Sequence, residues 1–363
     1  MALSKGDDFP IHQTAEPVAY AGTDRNFYDR YFFNGYAPDG GGFFAIAFGV
    51  YPHLDVVDAH FNVIRDGVQH CVHASREAGM ERMDLSCGPM TIEIVEPLNV
   101  LKVSVGDHEG ISAELTFTGR HFPIEEPRFT HRTGPRVLLD CTRMTQNGRW
   151  TGWIEVDGER QELATGTMGT RDRSWGVRPI GAPDAQPIPG QAMPSFFWQW
   201  TPINFPSGSL FFHVNNDTLG NPWNTRAAWA LEGASADVLS EGAGSMRTRL
   251  SSGTRWPSGG STVSLALPGG PEEITFEPLG RFQMKGLGYT HRDWRHGMYH
   301  GALKVEREDI VLDGLDPLAL DNIHVQIPVA VTSDGEEGIG VFEQLIIGPF
   351  APLGLSEFID GAG

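Results

Sequence analysis

Asp55 to Ser75 reads DVVDAHFNVIRDGVQHCVHAS, and its centre, Asp66-Gly67, sets how the rest of the chain is read. Asp-Gly tolerates the positive φ angles of a two-residue hairpin turn, and residue types alternate on both sides of it. The stretch therefore predicts two paired antiparallel strands.

The same pattern continues outward. MTIEIVEPLNVLKVSV (Met90 to Val105) and ISAELTFTG (Ile111 to Gly119) repeat β-branched and aromatic residues with period two. RVLLDCTRMTQ before Asn147-Gly148, and RWTGWIEV before Asp157-Gly158, read as two further strands, each followed by a turn. GAPDAQPIPGQAMP (Gly181 to Pro194) would break any ladder and is taken as the domain connection. A second strand series follows, including SLFFHVNND, STVSLALPG, GALKVERED, NIHVQIPVAV and GVFEQLIIGPF. Ala234 to Glu241 is the best of a poor set of short helices. With 45 glycines and 25 prolines spread over 363 residues, long helices are excluded. The fold class expected is all-β, two tandem antiparallel barrels, with domains 1–192 and 193–363.

Composition narrows the function. The chain has 46 Asp plus Glu against 27 Lys plus Arg, a formal charge of −19, and a field of that sign repels nucleic acid and anionic lipid surfaces. The first ten residues lack the basic-then-apolar pattern of a secretory signal, and no apolar run is long enough for a membrane span, so a cytoplasmic location is expected. Cys71, Cys87 and Cys141 are widely spaced with no C-x-x-C pair, so they read as reduced, buried thiols. No nucleophile elbow, phosphate loop or dinucleotide fingerprint occurs, so no cofactor is expected.

Three segments carry polar chemistry. In GTMGTRDRSWGVRP (Gly166 to Pro179), Arg171, Asp172, Arg173 and Arg178 crowd around Trp175. Guanidinium groups can hold a carboxylate by paired hydrogen bonds, and the indole gives a flat apolar wall, so the group suits substrate orientation or proton transfer. A structural ion-pair network is the competing reading. In FFWQW (Phe196 to Trp200), Trp198 and Trp200 share one strand face, as stacking residues or as core. In GLGYTHRDWRHGMYHG (Gly286 to Gly301), Tyr289, His291, Trp294, His296 and His300 bring imidazoles among aromatics, which suits acid–base work. His296 and His300 are four apart, but Gly297 lies between them and no glutamate follows His296, so no metal site is expected.

Taken together, RDRSWGVRP after GWIEVDG, then FFWQW and GYTHRDWRHGMYHG, resemble the carotenoid hydratase and AttH-like group. The resemblance implies two lipocalin-like barrel halves and acid–base chemistry on polyenes or terpenoids, including water addition and pericyclic ring closure, although other members are lipid carriers. Where the hydratases carry D-H-x-W-G and a Tyr-x-Asp pair, this chain has Arg173 with Trp175, and Trp198 with Trp200. Arginine does not deprotonate in proteins, so acid–base duty falls to Asp172 and His296. Arg173 and Arg178 would bind a substrate oxygen, and Trp175, Trp198, Trp200, Tyr289, His291, Trp294 and His300 would complete the site. The expected partner is a hydrophobic small molecule, with self-association as a homodimer compatible, and the functions weighed are a lyase, hydratase or isomerase, a carrier or sensor, or a scaffold.

Overall fold

The computed structural model describes residues 3–10, 24–134, 136–183 and 195–363. Most of the expected domain connection, 184–194, lies outside the described residues. The opening hairpin forms as read: Val56–Arg65 pairs antiparallel with Val68–Glu77, and Asp66 and Gly67 turn with φ of 48° and 78°. Among the described residues there are strands and short 3-10 turns but no α-helix. Ala234 to Glu241 holds a single 3-10 turn, Ala236–Val238, and then enters the strand Ser240–Arg247.

The strands make two lipocalin-like units. In the second, eight strands close on themselves: Phe196–Asn204 through Glu273–Pro278 follow in chain order, then Val325–Ser333 and Glu336–Ile347 return to Phe196–Asn204. In the first, a long sheet curls without closing, running from Val68–Glu77 through Phe27–Tyr36, Met168–Val177 and Arg136–Val156 to Ser86–Cys87. Its outer edge is not left bare. Leu303–Val311, from the second strand series, pairs with Val68–Glu77 along its whole length and covers that edge.

Asn147-Gly148 is not a turn. Arg136–Val156 runs straight through it as one 21-residue strand. Gly148 is needed there for closeness, not for bending, because a Cβ would lie 2.2 Å from the Phe117 ring and 2.7 Å from the Thr118 carbonyl oxygen. Asp157-Gly158 does turn, with φ of 52° and 83°.

Alternation gives each sheet two faces. The concave face of the first is filled by Phe33, Phe44, Leu101, Phe117 and Trp150, and the barrel interior by Phe212, Val263, Phe276 and Phe342. A third apolar cluster lies between the units, where Phe32, Tyr36 and Ala47 meet Trp198, Trp200 and Phe282. Polar clamps fix this junction, among them Asn34 Nδ2 donating to Gln326 Oε1 at 3.1 Å and Arg120 Nη1 to Asn204 Oδ1 at 3.0 Å. The candidate functional site is built at this seam.

Candidate functional site

Directly paired residues on neighbouring strands point to the same face. Asp172 pairs with Phe32 on one side and Thr145 on the other, Ser174 with Arg30 and Arg143, and Gly176 with Tyr28 and Cys141. These side chains form one patch on the first sheet, aimed at the barrel. Opposite them, Trp198 and Trp200 pair with Leu345 and Glu343 and stand on the barrel's outer face. Between the patches lies a cavity of about 140 Å³ whose walls include Asp172, Arg178, Trp198, Trp200, Tyr289 and His324. Phe196 also borders a neighbouring hollow of about 370 Å³ under Trp223 and Phe350.

Asp172 is the unusual group in this cavity. It makes no side-chain hydrogen bond to any described residue, and its proton affinity is pushed up to about 7. Burial is the main cause and the Glu126 carboxylate adds to it, while Arg143 works against both. Arg143 does not neutralise Asp172 because it is engaged elsewhere: its Nη2 lies 2.6 Å from Glu126 Oε2, and its guanidinium stacks 4.3 Å from the Trp198 ring centre. Glu126 is also bonded by Thr145 Oγ1 at 2.7 Å, and Trp200 Nε1 donates to Thr145 Oγ1 at 3.2 Å.

Across the cavity sits a second acidic group with the opposite character. Glu343 accepts hydrogen bonds from His324 Nε2 at 2.8 Å, Gln326 Nε2 at 2.6 Å and Trp198 Nε1 at 3.1 Å. Burial raises its proton affinity, but these donors outweigh burial and hold it below the usual range. The other ring nitrogen of His324, Nδ1, has no hydrogen-bond partner among the described residues. The cavity thus holds a carboxyl that titrates near neutrality and an imidazole oriented by an ionised carboxylate. Asp172 raised and Glu343 lowered are two carboxyls whose surroundings push their proton affinities apart, a pattern that suits acid–base catalysis.

The structure divides the expected residues into four groups. Asp172, Arg178, Trp198, Trp200 and Tyr289 line the cavity. Arg173 and Trp175 lie on the opposite face of their strand, as alternation requires. There Arg173 is an ion-pair partner of Asp29 and donates to the backbone carbonyls of Asp7, Arg30 and Phe9, while Arg171 pairs with Asp8. The guanidinium of Arg173 lies 3.8 Å from the Tyr31 ring centre and 5.9 Å from that of Trp175. This part of the motif fastens the N-terminal segment to the sheet.

His296 stands behind Tyr289, ring centres 4.4 Å apart, and outside the cavity wall. Its Nε2 donates to the Leu287 carbonyl at 2.9 Å, and burial with the nearby Arg30 and Arg178 charges keeps it neutral well below its usual range. It positions the Tyr289 loop. His291, Trp294 and His300 form a separate cluster with His73 and Glu308. His73 and His291 both donate to Glu308 Oε2 at 3.1 Å, Trp294 stacks on His73 at 5.3 Å, and His300 packs 4.3 Å from Trp294.

Cys71, His73 and Glu308 bring their ligand atoms within 4.8 Å of one another, the spacing of a metal site. Their bonding roles are filled instead. The Cys71 thiol donates to Asn62 Oδ1 at 2.9 Å and burial raises it well above its usual range, so it does not ionise readily. His291 Nδ1 accepts from the backbone N–H groups of Asp293 and Trp294, which fixes its proton on Nε2, toward Glu308.

A single family model spans residues 3–356 of the chain. The chain belongs to DUF8625, a family of unknown function. No curated protein matches this DUF8625 chain in sequence. Among solved structures, a putative AttH from Nitrosomonas europaea has a TM-score of 0.56 at 14% identity, over 95% of this chain and 97% of that one. CghA has a TM-score of 0.53 at 11% identity, over 93% and 95%. Kievitone hydratase from Nectria haematococca has 0.49 at 11%, over 92% and 91%. The resemblance of this DUF8625 chain to the AttH-like group is thus borne out as a likeness of fold.

Arg143, Glu126, His324 and Glu343 were not singled out from the sequence. Glu343 in GVFEQLIIGPF and His324 in NIHVQIPVAV are each polar residues set in apolar strand sequence, a signal that could have flagged them. Arg143 and Glu126 gave no comparable signal, since their partnership depends on strand register.

Proposed function

We propose that this protein is a cofactor-independent hydratase, lyase or isomerase that acts by acid–base catalysis on a hydrophobic small molecule held between its two units. The observation that carries this reading is a carboxyl with no hydrogen-bond partner among the described residues, titrating near pH 7, in a cavity walled by two indoles. Asp172 is the general acid, giving its proton to an alkene or carbonyl of the substrate. His324, oriented by Glu343, is the base that takes a proton from water or from a substrate carbon. Trp198 and Trp200 stack on the apolar body, and Arg178 meets a substrate oxygen. Terpenoids, steroids and aromatic compounds are the substrate classes proposed, with a cytoplasmic setting and, where the chain self-associates, a homodimer.

The test is to incubate the protein with a panel of those compounds and follow affinity, product mass and chromatographic retention, the last of which separates isomers of equal mass. Conversion that falls by roughly 10² to 10⁴ in Asp172→Asn supports the assignment, as general acids usually carry that weight. Conversion unchanged in both Asp172→Asn and His324→Gln refutes it. A second reading, a carrier that binds without transforming, draws support from Arg173 occupying the position where the hydratases keep a histidine. Tight binding with the mass and the chromatographic retention of every ligand unchanged across the panel would favour the carrier.

A further inference from the structure

The charges around the cavity are unequally partnered. Arg143 has Glu126, and Glu343 has three donors. Arg178 is different: among the described residues its guanidinium has no hydrogen-bond or ion-pair partner, and it sits 5.4 Å from the ring centres of both Tyr28 and Tyr289. Arg30, 2% exposed, faces the same Tyr289 ring at 4.7 Å. Its Nη2 donates to the Leu287 carbonyl at 2.8 Å, while its Nε and Nη1 are buried without a partner among the described residues. Nearby Asp58 does not answer either cation, because its oxygens accept from Tyr51 OH at 3.0 Å and from Gly297 N at 2.8 Å.

A buried guanidinium and a second one at the cavity wall, beside one phenol ring and neither held by a carboxylate among the described residues, are costly in a protein that has acidic residues to spare. Such an arrangement is stabilised when a ligand supplies the missing charge. A hydrated inorganic anion would leave the indole walls unused, whereas a delocalised oxyanion on an apolar body satisfies both features.

We propose that the cavity selects a hydrophobic organic anion, a molecule whose carboxylate, enolate or phenolate oxygen pairs with Arg178 while its apolar body lies against Trp198 and Trp200. Arg30 does not touch the ligand; it acts through Tyr289 as a second fixed positive charge. This rests on the reading of the cavity as a ligand site and adds the chemical class of the ligand. It also sets a direction within the site, with the oxyanion at the Arg178 end and the proton donated from Asp172.

The test uses two probes of one shape, 2-naphthoate and 2-naphthamide, titrated into the full-length protein by calorimetry at pH 7. The wild type should bind the acid at least about tenfold more tightly, the weight of one charge-assisted hydrogen bond. Arg178→Met should abolish that preference and Arg178→Lys should keep part of it. Should Arg178→Met fail to fold, a co-crystal of the wild type decides: the carboxylate within hydrogen-bond distance of Arg178 supports the proposal, and the carboxylate anywhere else overturns it. Equal affinity for the two probes overturns the choice of an anion but leaves the cavity as a ligand site. Binding of neither probe at millimolar concentration overturns both.

Discussion

Replacing Asp172 by Asn should make the protein more stable in alkaline solution and leave it unchanged in acid. Asn copies the shape of the protonated carboxyl but cannot ionise. In the folded wild type the carboxyl titrates near 7, against 3.8 when unperturbed, because burial penalises its charged form. The folded state therefore holds this proton more tightly than the unfolded state. Its contribution is complete below about pH 3.8 and is lost as pH rises through 7. The difference in proton affinity corresponds to about 4 kcal/mol at pH 9, and to roughly 2 kcal/mol if water entering the cavity screens half of it. Asp172→Asn escapes this cost, so its advantage over wild type should grow from zero near pH 4 to about 2 to 4 kcal/mol at pH 9. Urea unfolding of both proteins at unit pH steps measures it, and thermal unfolding should show a parallel gain of a few degrees. A difference independent of pH, or an Asn variant that is less stable at pH 9, would show that burial does not raise the proton affinity of Asp172.

Acid should destabilise the fold before most carboxylates are protonated. Burial lowers His73, His121 and His213 to about 4, so stability is full above about 6.5 and is lost as pH falls through 4, by at most about 3 kcal/mol per group. The slope of unfolding free energy between pH 6 and 4 should flatten in His121→Gln. Arg173→Met should remove the buried ion-pair partner of Asp29 and cost about 3 to 5 kcal/mol, with part recovered in the Arg173→Met, Asp29→Asn double variant, both read by urea unfolding. If the single variant instead lost activity at unchanged stability, Arg173 would belong to the site after all. Gly148→Ala should cost several kcal/mol because the added methyl meets the Phe117 ring and backbone oxygen at once, and a thermal midpoint within a degree of wild type would contradict the close packing described at that strand.

The strands were legible because alternation and Asp-Gly turns are local. Asn147-Gly148 misled because the same dipeptide also suits a place where two strands press close, and local sequence does not separate the two uses. The pairing of Leu303–Val311 with the first sheet was not legible either, since nothing in GALKVERED names its neighbour. Within the site, Asp172 and the two tryptophans could be read from residue type. Arg173 was grouped with Asp172 through proximity in sequence, yet period-two alternation sends adjacent residues to opposite faces, and applying it there would have separated them. The histidine-rich segment resolved into a loop support and an outer cluster, because a segment of irregular backbone gives no rule for which imidazole points inward.

Acid–base catalysis by Asp172 requires a carboxyl that titrates at neutral pH inside the seam between the two units. Carbon-13 NMR of protein labelled at the aspartate carboxyl, followed from pH 4 to pH 9, reads this directly. One resonance should titrate with a midpoint near 7, be missing from Asp172→Asn, and shift when 2-naphthoate is added. If the resonance assigned to Asp172 titrates near 4 and ignores the ligand, the carboxyl is an ordinary solvated one and the proposed acid does not exist.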